Sequence, residues 1–406
     1  MPWSDSRASG AVSNRFDKLV KRKNTWIAGV RPKLGALHSP TTSKPRVLCF
    51  TETYPEFSET YMHEEFVALQ ESYEVLVVAL HRSKHPRRNV LPYLRVDYVD
   101  AHLSYGAFEE VNLEFSSPSQ QEFLRQIDRI IHHFSPQVMH AHYIYLAWLL
   151  NVLAARHDIP YTVRTHSFDM LDRDRERLFT AIEALKSPHC RKAFVYPEFE
   201  DLVLEKGVKR EHVQTAWPVI NTERFFNSQR RAETGGVMCA GPCTPKKAHS
   251  TFIDLAASMD DSGKDFRLYT QGFFEPRVRE HNEKLGNPAV ITFAEPEDMP
   301  GVYRQHDWIV YPSDPDIGAV GLPAAVAEAQ ASGIGVCLQE LPGRRAAQLE
   351  FLGGAGFLFK HINEVPNIIS NPYPEEMRLK GLENSRKFDV RAHKRILDET
   401  WAPLLR

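Results

Sequence analysis

The sequence predicts an α/β fold made of two successive parallel sheets, each covered by helices on both faces. Three observations carry that reading. From Arg46 onward, short β-rich apolar runs alternate with longer amphipathic stretches, the mark of βαβ units with strands buried on both sides. The alternation pauses over residues 222 to 235, "TERFFNSQRRAETG", and then restarts. A chain of 406 residues also has room for more than one core.

The elements follow in order. Residues 1–45 read as a basic leader and linker. Up to Arg46 the chain carries ten Lys or Arg against Asp5 and Asp17, which gives +8 and leaves −10 for the rest. Its Phe16, Leu19, Val20, Trp26 and Ile27 fit either an amphipathic segment on an anionic membrane surface, through residues 15–35, or a solvated tail. "SPTTSKP" (39–45) reads as a flexible linker. Residues 46–220 form the first domain, with strands expected at 46–50, 74–80, 138–143, 161–166, 193–197 and 213–218. Residues 221–387 form the second, with strands at 236–241, 266–272, 289–295, 308–313, 335–339 and 356–359. Residues 388–406, "FDVRAHKRILDETWAPLLR", are amphipathic, with Phe388, Ile396, Leu397 and Trp401 available for one face.

Composition excludes several classes. With 42% hydrophobic and 25% charged residues the chain is neither disordered nor fibrous. A net charge of −2 gives no global field for nucleic acid. Cys49, Cys190, Cys239, Cys243 and Cys337 are odd in number and scattered, which fits reduced core thiols. There is neither an apolar run of membrane-spanning length nor a signal-peptide pattern, so a cytoplasmic location is expected, possible membrane contact placing it at the inner face.

Ligands of open parallel sheets bind beyond the carboxyl ends of the strands, where helix N-termini favour anions. Four polar clusters fall there: "TETYPEFSET" (51–60) with Ser58 and Glu59, "THSFD" (165–169), "GPCTPKKAHS" (241–250), and "SDPDIGAVGLP" (313–323). The last leads through Gly321 and Pro323 into "AAVAEAQA" (324–331), a helix of small residues ended by Gly333. One large carboxylate, Glu328, stands among them.

In order, "TETYPEFSETYMHEEFVAL", "HAHY", "TVRTHSFDM", "KKAHSTFIDLA", "DWIVYPS" and "GLPAAVAEAQASG" resemble GT-B glycosyltransferases of family 4, over roughly Arg46 to the C-terminus. The resemblance implies two Rossmann-like domains facing each other across a cleft, the first on the acceptor side and the second on the donor side, with a last helix crossing back to the first. It implies retaining transfer of a sugar from a nucleoside diphosphate sugar to a hydroxyl acceptor, saccharide or lipid-linked, in polysaccharide, lipopolysaccharide or glycolipid biosynthesis. It implies no metal or other cofactor. In that family the second glutamate of a Glu-x7-Glu motif binds the nucleotide ribose, and Glu328 matches it. Lys247 matches a lysine suited to the donor diphosphate, and Gly241, Gly321, Leu322 and Pro323 fall with the donor motifs. His166 matches a first-domain histidine beside donor sugar and phosphate, able to donate to the leaving group's developing charge. Ser58, Glu59 and Asp169 fall on the acceptor or sugar side, Glu59 being equally a helix-capping residue.

The departures are Val320, where the first motif glutamate is expected, and Pro242, where an arginine often follows the glycine. Asp316 and Lys246 are the candidate replacements. His140 and His142 share a strand face and, with His166, raise a metal site. No carboxylate pattern accompanies them in the sequence, which argues against it. The alternatives to transfer are a non-catalytic degenerate scaffold or regulatory subunit, and a nucleotide-sugar 2-epimerase on the same fold.

Overall fold

Val47, Leu48, Cys49 and Phe50 are fully buried in the first strand, β1 (Arg46–Thr53). Such an unbroken apolar run needs cover on both faces, and the architecture supplies it. The structure is a computed structural model that describes residues 43–81, 83, 91, 93–96, 118–171, 175–229, 232–317 and 321–405. The basic leader with its proposed membrane-contacting residues, and Val320, lie outside the described residues.

Seven strands form the first sheet: β1, β2 (Glu74–His81), β3 (Tyr93–Arg95), β4 (Val138–His142), β5 (Tyr161–Arg164), β6 (Cys190–Val195) and β7 (Val213–Thr215). Their order is β3-β2-β1-β4-β5-β6-β7, and every pairing is parallel. The second sheet holds β8 (Gly236–Ala240), β9 (Asp265–Tyr269), β10 (Val290–Thr292), β11 (Trp308–Tyr311), β12 (Gly335–Gln339) and β13 (Phe357–Phe359). It is ordered β10-β9-β8-β11-β12-β13, again all parallel. The order reverses between β1 and β4 in one sheet and between β8 and β11 in the other. Crevices for ligands open at such switch points.

Several expected strands are shorter than the sequence suggests. The run at 161–166 ends at Arg164, because His166 caps a short helix, Ser167–Met170. The 213–218 and 289–295 runs shrink to three residues each. β3 has no counterpart in the sequence reading: three residues at a sheet edge carry too little pattern. The pause over 222–235 contains one turn of helix, Thr222–Phe225.

The small-residue helix spans Ala324–Ala331, with Pro323 as an extended N-cap residue rather than inside the first turn. The five cysteines are buried and free. The C-terminal helix, Val390–Trp401, starts at Asp389, whose side chain accepts from the Arg391 N–H at 2.9 Å. It packs on the first described helix, Thr60–Leu69, burying Leu397 and Trp401 completely. Its polar residues reach the first domain too: Asp398 accepts from Tyr73 at 2.7 Å and Lys394 donates to Ser72 at 2.7 Å. The two crossings between domains run side by side, with Ile220 N–H donating to Phe388 O and Val390 N–H to Ile220 O, each at 2.9 Å.

Candidate functional site

Both switch points collect candidate residues, one set per domain. In the second domain the chain leaves β8 at Gly241 (φ +149°) and makes a tight turn, Pro245–Lys247, before the next helix. Lys247 bends back so that Nζ meets the Tyr311 hydroxyl at the end of β11 and lies 4.8 Å from that ring. A Cβ on Gly241 would sit 3.6 Å from the same hydroxyl and 4.0 Å from Lys247 Cε. Gly241, Lys247 and Tyr311 are therefore one cluster. Burial pushes the Lys247 ammonium down to about 8, and among the described residues no recorded ion pair includes it. Lys246 is pushed to about 8 by burial and by Lys247.

Glu328 stands across the switch point, on the helix that follows β11. Its Oε2 accepts from the fully buried Tyr303 hydroxyl at 2.8 Å, which also donates to Ala325 O. Burial raises the Glu328 carboxyl to about 7, against the lowering effects of the Tyr303 bond and the Arg224 charge. Arg224 pairs with Glu64 of the first domain at 2.6 Å and donates to Pro296 O at 2.9 Å, so the charges below Glu328 come from both domains.

The motif glycine and its neighbours prove to shape the backbone. Gly321 has φ +74°, and a Cβ there would lie 2.7 Å from Gln348 Nε2. Only glycine meets both demands. The Leu322 side chain, expected with the donor site, is 4% exposed and belongs to the core. Asp316 is exposed, its N–H bound to Asp314 Oδ1 at 2.9 Å, and its loop touches the lysine turn through Asp314 N–H to Lys246 O at 3.1 Å. Pro242 joins a turn in which its carbonyl accepts from Thr244 N–H.

In the first domain, His166 is 5% exposed. Its ring packs against both Tyr61 and Tyr143, with centroids 4.7 and 4.8 Å away. Tyr143, which follows β4 with φ +80°, donates to Glu59 Oε1 at 2.5 Å and lies 3.2 Å, hydroxyl to hydroxyl, from Tyr61. Glu59 thus looks toward the histidine pocket. Its carboxyl is pushed up to about 8, first by burial, with Glu56 and Glu52 adding to it. It is the N-cap residue of the first helix but makes no side-chain cap bond, so the capping alternative fails. Ser58 sits one residue before it, partly buried. Asp169, expected on the sugar side, is instead a clasp. It is 2% exposed, and its oxygens accept from His166 N–H at 2.8 Å and Ile144 N–H at 2.5 Å, tying the loops after β4 and β5 together.

His140 and His142 do have a carboxylate. Glu65, 1% exposed on the first helix, places Oε1 3.1 Å from Nε2 of each. The three side chains offer ligand atoms within 4.8 Å of one another, so the sequence-level objection that no carboxylate accompanies the histidines is corrected. The same carboxylate faces the buried Arg164 at 3.7 Å and His393 of the C-terminal helix at 2.9 Å. A guanidinium beside the carboxylate already supplies the compensating charge a cation would bring. Glu65 is held well below the usual carboxylate range: burial raises it, and His142 and His393 outweigh that.

Sequence reasoning missed Tyr61, Tyr143, Tyr303, Tyr311 and Glu65. Two surface hollows, one lined by Leu124, Asn151 and Ala155 and one by Phe226, Asp389 and Arg391, collect none of the candidate residues. Among the described residues no helix is long and apolar enough to cross a membrane.

Comparison with known proteins bears on the fold. Residues 58–216 match the family model described as "Glycosyl transferase 4-like domain". No curated protein matches the chain. HepE from Anabaena, solved with UDP and glucose, is 14% identical at TM-score 0.67, covering 87% of this chain and 99% of that one. Sucrose-phosphate synthase from Thermosynechococcus elongatus is 16% identical at TM-score 0.67, covering 89% and 99%. WaaG, a glycosyltransferase involved in lipopolysaccharide biosynthesis, is 13% identical at TM-score 0.57, covering 84% and 94%. Residues 58–216 thus resemble the glycosyl transferase 4-like domain, and the two parallel sheets share the GT-B arrangement of these structures, so the chain has a GT-B fold.

Proposed function

We propose that the chain transfers a sugar, with retention of configuration, from a nucleoside diphosphate sugar to a hydroxyl acceptor. The observation that carries the reading is that Lys247 and Glu328, each perturbed by burial, lie at the same switch point of the second sheet. One is a cation drawn toward neutrality by burial, with no recorded acidic partner among the described residues. The other is a carboxylate raised by burial with one oxygen anchored. A diphosphate supplies the anion the first lacks, and ribose hydroxyls supply the donors the second lacks. Leaving-group charge is then met chiefly by Lys247. HepE was solved with UDP, which makes uridine the first base to test.

On the first domain, Glu59, Tyr143 and His166 form the wall facing donor sugar and acceptor, and the acceptor is a saccharide or lipid-linked saccharide. No metal or other cofactor takes part in this reading. Assignment to polysaccharide, lipopolysaccharide or glycolipid synthesis, and membrane contact through residues 15–35 at the inner face, belong to the same proposal. The basic, aromatic-bearing composition of that segment supports the latter. Pro242 favours one second reading, a protein that binds donor without transferring it, because that position brings no cation.

Incubation with UDP-, GDP- and ADP-sugars, followed by calorimetry and product analysis, tests the proposal. Transfer or slow donor hydrolysis with the anomeric configuration kept is expected. Tight donor binding with neither would establish the second reading, and interconversion of free donors would establish epimerisation.

A further inference from the structure

The polar residues buried under the first sheet lead to the candidate histidine. His142 Nε2 lies 3.1 Å from Glu65 Oε1, and His142 Nδ1 lies 3.0 Å from His166 Nε2. The two imidazoles have centroids 5.2 Å apart and planes within 11°. That is the spacing of rings joined edge to edge by an in-plane hydrogen bond. All three side chains are 5% exposed or less.

The protons follow from the carboxylate. Glu65 is anionic, and an anionic carboxylate only accepts. His142 therefore carries a proton on Nε2. Burial holds His142 down to about 4, so it is neutral and has no second proton, and its Nδ1 is an acceptor. Among the described residues, the group placed to donate to that lone pair is His166 Nε2–H. Burial, His142 and Arg164 hold His166 well below its ordinary range as well, so its Nδ1 is bare.

We propose that Glu65 and His142 are positioning residues that fix the tautomer and ring orientation of His166. The inference rests on the reading of His166 as part of the sugar-facing wall. Its consequence is that His166 carries a lone pair, not an N–H, at Nδ1, the side facing the Asp169 N–H in the capping box of the Ser167–Met170 helix. The histidine then has no N–H to offer a leaving diphosphate, and that charge falls to Lys247 on the opposite domain. Arg164 and His393, beside Glu65, keep the carboxylate charged and bring the C-terminal helix into the same hub.

Two substitutions of His142 separate positioning from packing. Asparagine places its amide oxygen near the imidazole Nδ1 and so keeps the acceptor for His166. Glutamine places its amide near Nε2, keeping the contact to Glu65 but none to His166. His142→Asn is expected to keep kcat within about fivefold, while His142→Gln lowers it by roughly 10–100-fold, as outer-shell partners of functional histidines do. UDP affinity, measured by calorimetry, stays within about twofold in both by the same reasoning. Thermal stability should follow the opposite order, because glutamine retains the Glu65 bond. Equal kcat losses, or a more active His142→Gln, would overturn the proposal.

A second arm needs no activity. Nitrogen-15 NMR of the full-length protein should show Nε2–H and unprotonated Nδ1 on both His142 and His166. Protonation of His142 at Nδ1 would overturn the chain. So would stoichiometric zinc in the purified protein, since a metal on Nε2 would move that proton to Nδ1 and remove the acceptor. If the unmodified protein neither binds UDP nor transfers sugar, the functional reading falls, while the NMR result still decides the hydrogen-bond chain.

Discussion

Glu328 and Lys247 have opposite titration behaviour, which would give the proposed donor site a defined pH window. In the proposed site, ribose hydroxyls would donate to the carboxylate form of Glu328 and so lower its pKa on binding. Because the free carboxyl sits at about 7, affinity should rise with pH until about 7. The diphosphate stabilises the charged form of Lys247, which sits at about 8 when free, so affinity should fall above that. Calorimetry with a nucleoside diphosphate sugar across pH 5.5 to 9.5 should trace a bell whose limbs change by up to about tenfold per pH unit. Glu328→Gln should remove the acid limb and Lys247→Met the alkaline one. Glu328→Ala should also cost about 1.5–3 kcal/mol of donor binding at pH 7.5. A flat profile, or limbs that survive both substitutions, would take these residues out of the site.

At the scale of elements, the small-residue helix and the last helix were legible because each carries its own signal. Ala324–Ala331 is a run of small helix formers behind a Pro and before a Gly, and its bounds match. The last helix shows its apolar face by spacing alone. What stayed hidden was the inward face of the first helix. "ETYMHEEFVAL" reads as a surface helix with charged residues outside, yet Glu64 is 8% and Glu65 1% exposed. Their partners, Arg224, His140, His142 and His393, lie far away in sequence, so no local pattern could announce them. The tyrosines that frame both half-sites were invisible for the same reason: a hydroxyl's target is a tertiary fact. Asp169 failed in the other direction, since a motif position read as ligand-facing turns out to hold two backbone N–H groups.

The last helix also carries a stability prediction. Trp401 is fully buried, lies 5.3 Å from the Tyr73 ring, and donates to Thr162 Oγ1 at 3.2 Å. Trp401→Ala should cost about 3–5 kcal/mol in urea denaturation. Deleting residues 388–406 should cost more and weaken donor affinity, because the Ile220 crossing loses its partner strand segment and Glu65 loses His393. A truncated protein with unchanged melting and donor affinity would show that the helix is dispensable to both.

Across the whole molecule, two kinds of contact join the domains. The backbone crossings at Ile220 and Asp389 form one side. Side chains alone form the other: Arg344 Nη1 donates to Glu198 Oε1 at 2.8 Å, the same guanidinium lies 5.2 Å from the Phe199 ring, and Phe57 meets Phe293 edge to face at 5.8 Å. Under the proposed function, domain closure would exclude water from the donor, and these side-chain contacts are the ones that opening would break. Glu198 decides the pH dependence. Its side chain is 6% exposed, and burial lifts its carboxyl to about 7 even though Arg344 pulls the other way. Once opened to water, the carboxyl would return to the ordinary range near about 4.3. The closed state therefore binds this proton more tightly than the open one, and linkage makes closure strongest below the ordinary carboxylate range. That contribution is lost as pH rises through about 7, because ionising the buried carboxyl costs more than the pair with Arg344 returns. Small-angle scattering should accordingly give a larger radius of gyration at pH 8 than at pH 5.5. Glu198→Gln keeps the shape and a hydrogen-bond acceptor for Arg344 without the charge, so it should stay closed at both values and hydrolyse less donor at pH 8. Scattering that does not change with pH in the unmodified protein, or that still changes in Glu198→Gln, would place the control of closure elsewhere in the interface.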